Sequence, residues 1–263
     1  MKSIESKCIF CLNTKGPFSR VEHPIPESLG NDDLFLNPGF VCDPCNQYFG
    51  SKVEQKVLNA APFGVERVAA VVKTKRGKLP KFQRSSDLSL FPAGCKDHLI
   101  FAAAPNEYLG VNAKYFSYDA SGRLILNIAA NQDDDFYTVR LLLKMGLELL
   151  LLTDGDPYDP IFNAARIYTR YAPTGTFWEM GYALYPRRED LNISEKLDKY
   201  GLLTTHQLYQ YSIGKLFSGD VGFCFIYRQH IFACNLSSPT LAEYINGFNR
   251  VNEMKMTRIF VKR

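Results

Sequence analysis

Apolar residues spaced by three or four predict a first helix near the start of the chain. From Cys45 onward such residues recur until Pro62, a proline that ends the helical pattern. One face of this helix is therefore expected to be buried. Its apolar positions are Phe49, Val53, Val57 and Ala60. The apolar residues that follow, 63–72, fit either a strand or a helix.

A second apolar stretch predicts the longest helix of the chain. It opens with the acidic residues Asp133–Asp135, which suit the positive end of the helix dipole, and continues until Gly155. Arg140, Lys144 and Glu148 form one polar stripe at steps of four, and almost every other position is apolar. Because most of its positions are apolar, the helix is expected to be buried in the core. It is not expected to span a bilayer, because charged residues interrupt the apolar stretch and the stretch is too short.

Shorter apolar runs separated by turn residues predict strands through the rest of the chain. Asp119–Gly122 links two of them into a hairpin, and Arg228-Gln229 turns the chain between two others. With that turn, Cys224 lies opposite Ala233. The predicted strands are 114–118, 123–129, 177–185, 223–227, 230–234 and 258–261, and further helices are predicted at 159–171 and 240–248. Together these elements predict an α+β fold.

Two Cys-x-x-Cys pairs near the start of the chain are a strong metal signal. They are Cys8 with Cys11 and Cys42 with Cys45. Four thiolates at this spacing can occupy the corners of a tetrahedral zinc site. The segment between the pairs is longer than in a simple zinc ribbon and holds His23. The sequence therefore predicts a structural zinc that closes the base of a functional loop. The alternative is four buried cysteines without a metal.

Composition narrows the class of protein only slightly. The chain has 263 residues and a formal net charge of +4, so its total charge does not indicate a nucleic-acid-binding protein. Its first residues lack the apolar segment of a secretory signal, and free cysteines suit a reducing compartment, so a cytoplasmic location is expected. Cys95, Cys224 and Cys234 are expected to be small buried apolar residues.

The motifs of the first segment, taken in order, resemble the HNH endonucleases, the ββα-metal or His-Me finger group. The resemblance rests on the two cysteine pairs, on Glu22-His23-Pro-Ile-Pro, on Asn46 directly after the fourth cysteine, and on Phe49-Gly50. It covers about residues 8–58. It implies a zinc-stapled finger of two short strands, Ser19–His23 and Phe40–Val41, followed by a helix that Asn46 opens, and it implies hydrolysis of DNA phosphodiester bonds.

The resemblance also implies a role for each residue of the motif. His23 would be the general base that activates water. Glu22 and Asn46 would hold one divalent ion, Mg²⁺ or Mn²⁺, and the four cysteines would hold the zinc. Adjacent strand residues point to opposite faces, so Glu22 and His23 share a site only if the strand bends at Pro24. Glu54 lies about 12 Å farther along the helix and is expected to pair with a neighbour instead.

Three positions differ from the common pattern of the family or leave a choice. Glu22 stands where Asp is commoner, and Gly50 stands where many of these enzymes have a final histidine. The middle Asn that pins the loop is Asn37, with Asn31 as the competing choice.

A locally basic run follows the predicted finger. Residues 73–84 contain six cations and no acidic residue. Beside a nuclease-type module such a run predicts contact with the phosphates of DNA, with RNA left open, and a solvated loop is the alternative. The cations are Lys73, Lys75, Arg76, Lys78, Lys81 and Arg84.

The predicted organisation is a nuclease finger at residues 1–61 and a larger mixed α/β domain with a buried central helix at 62–263. The second domain would serve recognition, dimerisation or sensing, and a homodimer through it is left open. The preferred function is a metal-dependent endonuclease that acts on DNA, with no membrane association. The alternative is a non-catalytic zinc module that binds nucleic acid or a protein partner.

Overall fold

The first helix of the chain buries the apolar face that its spacing predicted. The computed structural model describes residues 6–74, 76–85, 88–92, 99–103, 115–118, 120, 124–126, 128, 132–185, 204–205, 208–252 and 254–263. Helix α1 (Asp43–Phe49) continues through a π-type turn (Gly50–Glu54) into α2 (Gln55–Leu58). Phe49, Val53, Val57 and Ala60 are all buried.

This helix begins earlier than predicted. Cys42 is its N-cap residue, and the Asn46 N–H donates to the Cys42 carbonyl at 3.0 Å as the first helical hydrogen bond. Asn46 therefore lies in the first turn and does not open the helix. The reason is Asp43-Pro44, because proline at the second helical position needs no hydrogen-bond acceptor.

The two short strands of the finger are reduced to isolated pairings. Glu22 and Leu36 form one antiparallel bridge, and the Phe40 carbonyl accepts a hydrogen bond from Ile9 at 2.9 Å. The second predicted strand thus pairs with the first cysteine knuckle rather than with the segment that carries His23. Within the described residues this part of the chain holds no longer strand.

The region after the finger combines one helix with two small antiparallel sheets. Residues 63–72, which fitted strand or helix, contain helix α3 (Phe63–Ala69). The predicted hairpin around Asp119–Gly122 is confirmed by the pairing of Phe116 with Leu126. The strands of these sheets are β1 (Phe82–Ser85), β2 (Leu88–Pro92) and β3 (Leu99–Ala103), and then β4 (Phe116–Tyr118) and β5 (Leu124–Leu126).

The largest sheet of the described part has six antiparallel strands. Cys224 lies opposite Ala233, as the turn at Arg228-Gln229 predicted, and Cys224 and Cys234 are buried. Cys95 lies outside the described residues. The strands are β6 (Phe177–Leu184), β7 (Thr204–Thr205), β8 (Tyr209–Lys215), β9 (Val221–Tyr227), β10 (His230–Asn235) and β11 (Thr257–Lys262). Their order across the sheet is β11-β6-β10-β9-β8-β7.

The predicted long helix is the centre of the molecule. Helix α4 (Gln132–Leu149) packs against the finger helix and against strands β6, β9, β10 and β11. Its polar stripe of Arg140, Lys144 and Glu148 is buried rather than solvated. Helix α5 (Asn163–Arg170) lies beside it, and α6 (Ala242–Val251) covers the other face of the sheet.

One hydrophobic core runs through the finger, helix α4 and the sheet. It contains Ile9, Phe49 and Val53 of the finger together with Leu142 and Phe225 of the later elements. Phe63, just beyond the predicted domain boundary, stacks on Phe232 with ring centroids 4.9 Å apart. The α+β class is confirmed, while the division at about residue 61 stays a prediction. Across the described ranges, no helix has both the length and the apolar character that a membrane span requires.

Candidate functional site

The four cysteines of the two knuckles converge as predicted. Their sulfur atoms all lie within 4.8 Å of one another, and the Cys11 and Cys42 sulfurs are 3.6 Å apart. In a tetrahedral site with Zn–S bonds of about 2.3 Å, neighbouring sulfurs are about 3.8 Å apart. The donor set and its geometry therefore fit a structural zinc.

Hydrogen bonds already favour a thiolate in this cluster. A hydrogen bond from Cys45 lowers the pKa of the Cys8 thiol to about 4 against the opposing effect of burial. The same hydrogen bond raises the pKa of Cys45, and burial raises the pKa of Cys42 to about 12, so one thiolate is favoured rather than four. Thiolate is the form in which cysteine binds zinc. The Arg170 side chain, from helix α5, hydrogen-bonds to Cys45, and its guanidinium lies 3.9 Å from the centre of the Tyr48 ring. A cation beside a four-cysteine zinc site offsets part of its net negative charge.

Glu22 and His23 point in different directions, as adjacent residues of an extended segment do, so the bend that would bring both side chains into one site is not seen here. Glu22 is 5% exposed, whereas the His23 side chain keeps 27% of its surface accessible. The His23 Nε2 lies 3.5 Å from the carboxylate of Glu27, four residues farther along the chain. Its Nδ1 is buried and makes no hydrogen bond to the residues that the structure describes.

Asn46 lies beside the segment that carries these two residues. Its Nδ2 donates to the Val21 carbonyl at 3.4 Å, next to Glu22 in the chain. Asp43, at the start of α1, holds the same segment because its carboxylate accepts hydrogen bonds from the Ser19 N–H at 2.9 Å and the Ser19 hydroxyl at 2.6 Å. The helix thus positions the extended segment through side chains at both Asp43 and Asn46.

Asn31, rather than Asn37, pins the loop. Asn31 is 3% exposed, and its Nδ2 donates to the carbonyls of Ile25 and Leu34 at 2.6 and 2.8 Å. Its Oδ1 accepts from Tyr209 of the large sheet at 3.2 Å. Asn37 is exposed. The sequence signal for Asn31 is its position in Gly30-Asn31-Asp32, because such turns need a side chain that bonds to its own backbone.

A buried lysine that sequence reasoning did not connect with the site lies behind Glu22. Lys144 of α4 is 0% exposed, and its Nζ lies 2.7 Å from Glu22 Oε1, 3.2 Å from Glu54 Oε1 and 2.9 Å from Glu148 Oε2. It also donates to the His23 carbonyl at 3.2 Å. The predicted neighbour of Glu54 is therefore Lys144.

The charges of this cluster are unequal. Burial favours the neutral form of Lys144, but Glu148, Glu22 and Glu54 outweigh it and raise the pKa of Lys144 well above its usual value. Burial also raises the pKa of Glu148 well above its usual value, which favours its protonated form. The Lys144 ammonium therefore forms its ion pairs chiefly with the carboxylates of Glu22 and Glu54.

The described cations of the basic run lie on the surface. Lys73, Arg76, Lys78 and Lys81 are exposed. The Thr74 N–H donates to the Lys78 carbonyl at 2.9 Å, and the Gly77 N–H donates to the Thr74 carbonyl at 2.8 Å. Helix α3, which leads into the run, is tied to the finger loop by Arg67, whose Nε donates to the Ser28 carbonyl at 2.7 Å. Lys75 and the Arg84 side chain lie outside the described residues.

Comparison with known proteins supports the nuclease resemblance for the first segment. One family model, described as HNH endonuclease, matches residues 8–61. The match spans the four cysteines, Glu22, His23 and Asn46, and confirms the resemblance inferred from the motifs. It indicates nuclease activity and nucleic-acid binding in general, and it does not extend to residues 62–263. Searches of curated proteins and of solved structures gave no significant match, and no comparison supports a homodimer.

Proposed function

We propose that this protein is a metal-dependent endonuclease that hydrolyses phosphodiester bonds of DNA, with His23 as its general base. The observation that supports this most strongly is the partly accessible His23 imidazole, which stands on a segment held by Asn46 and Asp43 of the finger helix. The family match over residues 8–61 supports the same reaction class.

The chemistry of His23 follows from the two environments of its ring. In the Michaelis complex one ring nitrogen accepts a proton from the attacking water, and the other donates to an acceptor that fixes the tautomer. The Glu27 carboxylate, 3.5 Å from Nε2, is placed to be that acceptor. The Nδ1 atom would then be the base, and because it is buried in the structure, the attacking water can reach it only if the loop shifts when DNA binds.

Glu22 and Asn46 are proposed to hold the divalent ion. Both supply oxygen, which Mg²⁺ and Mn²⁺ prefer, and such ions take most of their remaining ligands from water and phosphate. Glu22 Oε1 already accepts from Lys144, so the ion would bind through Oε2. When bound, the ion would stabilise the charge that develops on the phosphate and leaving oxygen. Glu22 then orients the ion, and Asn46 keeps the extended segment against the helix.

The basic run is proposed to bind the DNA backbone. Four of its cations are exposed, and they follow a helix that is hydrogen-bonded to the loop after His23. This arrangement would put phosphate contacts on the side of the finger where α3 ends. Phosphate contacts orient the nucleic acid without reading its sequence.

Plasmid cleavage tests the proposed function. Wild-type protein should cleave in Mg²⁺ or Mn²⁺ and stop when EDTA removes the ion, with zinc content checked after EDTA treatment. His23→Ala should lose about 10²–10⁴-fold in rate, the usual contribution of a general base. Asn37→Ala, an exposed change in the same loop, should cleave like wild type.

The outcomes separate the two functions considered. Loss of cleavage in His23→Ala with unchanged zinc content and melting temperature supports the base assignment. A His23→Ala protein within tenfold of wild type would sink it. Wild-type protein that binds DNA and cleaves none under any of these ions would favour the non-catalytic zinc module.

A further inference from the structure

We propose that Lys144 is a positioning residue for the finger site, supplied by the second part of the chain. Its ammonium holds the Glu22 side chain and the His23 carbonyl together, and so fixes the Glu22 carboxylate and the backbone from which the His23 ring projects. This inference rests on the proposed function, since it assigns Lys144 a part in that same site.

The contacts of Lys144 converge on the motif dipeptide. Its Nζ donates to Glu22 Oε1 at 2.7 Å and to the His23 carbonyl at 3.2 Å. One contact therefore fixes a side chain, and the other fixes the peptide plane that follows His23. A lysine ammonium has three donors, and the third goes to Glu148 on the same helix at 2.9 Å. Glu54 Oε1 also lies 3.2 Å from Nζ, so four acceptors surround the three donors of this ammonium.

The backbone on both sides of His23 is already restrained, so the contact from Lys144 to the His23 carbonyl removes most of its remaining freedom. Pro24 restricts His23 to extended conformations, and Glu22 is bridged to Leu36 by hydrogen bonds of 2.7 and 3.2 Å. With the His23 carbonyl also held, the remaining freedom of the dipeptide is the His23 side chain itself. The ring itself keeps 27% of its side-chain surface accessible, with Nε2 3.5 Å from the Glu27 carboxylate.

The finger does not supply this cation itself. Among the described residues, Lys144 is the cation within ion-pair distance of Glu22 and of Glu54. Both carboxylates belong to residues 8–61, whereas Lys144 lies 122 residues after Glu22. Two buried or half-buried acids of the finger thus depend on helix α4 for their counter-charge.

Another buried cation of the polar stripe of α4 provides a control that distinguishes positioning of His23 from ordinary packing. Arg140, one turn before Lys144, is equally buried and also reaches the finger, where it donates to the Tyr48 hydroxyl at 2.6 Å. It makes no contact with Glu22 or His23 among its described hydrogen bonds. Arg140→Met is therefore a matched control, because it removes a buried cation between the same two elements without touching the dipeptide.

The test observes His23 directly, in the full-length zinc-loaded protein without DNA. The chain has four histidines, so the imidazole NMR signals of His23 can be assigned by their loss in His23→Ala. The main variant is Lys144→Met/Glu148→Gln, which removes the ammonium and one of the carboxylates it would leave unpaired. Zinc content and melting temperature report whether each variant is folded.

Two readouts are expected to respond to Lys144 and not to Arg140. The His23 signals should shift in Lys144→Met/Glu148→Gln and stay in place in Arg140→Met, although both variants melt at lower temperature. The Mn²⁺ concentration that half-broadens the His23 signals should rise about tenfold or more in the Lys144 variant only. Unmoved His23 signals together with Mn²⁺ broadening within twofold of wild type would overturn the proposal and leave Lys144 a purely structural residue.

A second variant covers the case in which the first does not fold. Lys144→Arg keeps the charge, but a planar guanidinium cannot reproduce both short contacts, so a folded Lys144→Arg protein should also show shifted His23 signals. Unshifted signals in a folded Lys144→Arg protein would also count against positioning. Because no readout here is cleavage, these results stand apart from the failure of the proposed function, which a cleavage-inactive wild type would show.

Discussion

Glu66 shows how single residues join the elements of this chain. Its two carboxylate oxygens lie 3.1 Å from His230 Nε2 and 2.7 Å from Arg228 Nε, across the gap between α3 and the large sheet. Burial raises the pKa of Glu66, but His230 and Arg228 outweigh burial and hold that pKa below its ordinary value of 4.5. Folding therefore favours the ionised form of this carboxyl.

The depressed pKa of Glu66 predicts a particular acid sensitivity. A carboxyl with a lowered folded-state pKa contributes stability above its unfolded value, and that contribution is lost as the pH falls through the folded value, here below 4.5. Glu66→Gln should reduce the free energy of unfolding by about 2 kcal/mol at pH 7, because it leaves buried partners without their charge. The loss should shrink below pH 4.5. Denaturant unfolding at pH 7 and pH 3.5 measures it, with exposed Asp154→Asn as control, and an equal loss at both pH values would contradict the linkage.

At the residue scale the sequence predicted which residues form the motifs better than it predicted which distant residues contact them. The four cysteines were assigned together because their ligand chemistry is local to two short knuckles. The choice of Asn37 over Asn31 failed because the deciding hydrogen bonds, including that from Tyr209, depend on how the loop folds onto a distant sheet. The link between Glu22 and Lys144 joins residues far apart in the chain, and no local pattern encodes such a contact.

At the element scale the periodicity of apolar residues was sufficient for the long helices and strands. Helix α4 lies where the spacing predicted it, and Gly155 ends the helical segment by donating to the Leu150 carbonyl at 2.8 Å. The π-type turn at Gly50–Glu54 was not predicted, because one added residue barely changes a spacing of three or four. The finger strands were overestimated, since knuckles and bridges satisfy backbone groups there instead.

The finger should depend on its zinc. Apart from α1 and α2, its described backbone is turns, bridges and short 3-10 segments, so the knuckles must hold it in place. Elemental analysis should find one zinc per chain, and removal by a strong chelator should unfold the finger and lower the melting temperature. Cys42→Ala should behave like the chelated protein, whereas Cys224→Ala, a buried cysteine of the sheet, should keep its zinc. Zinc-free protein with an unchanged melting temperature would show that packing on α4 is sufficient.

At the scale of the whole molecule, the finger and the sheet are two layers on one helix. The α4 side chains that pack on the sheet are apolar, while its buried polar stripe faces the finger through Arg140 and Lys144. The sequence predicted a buried helix with a polar stripe but gave no reason to expect that the stripe meets the motif segment. Long-range docking of this kind follows from shape and charge complementarity between elements that are separately predictable.

The basic run offers the last test at this scale, because it asks on which side of the molecule DNA lies. If Lys73, Arg76 and Lys78 each contact a phosphate, binding should weaken with salt at a log–log slope of about −0.9 per contact on duplex DNA. Their triple substitution by alanine should then flatten the slope by about 2–3 units. The measurement is a salt titration of DNA binding in the His23→Ala background, so that cleavage does not interfere.

A matched triple variant decides whether the effect is local. Lys215, Lys255 and Lys262 are exposed cations of the second part of the chain, and their substitution by alanine makes the same change in net charge. A flattened slope in the 73–78 variant alone places the DNA along the loop that follows α3, on the side of the finger that Arg67 ties down. Equal flattening in both variants would show that the run affects DNA binding only through the net charge of the protein, and not through local phosphate contacts. An unchanged slope in the 73–78 variant would move the search for the DNA-binding surface to the large sheet and helix α6.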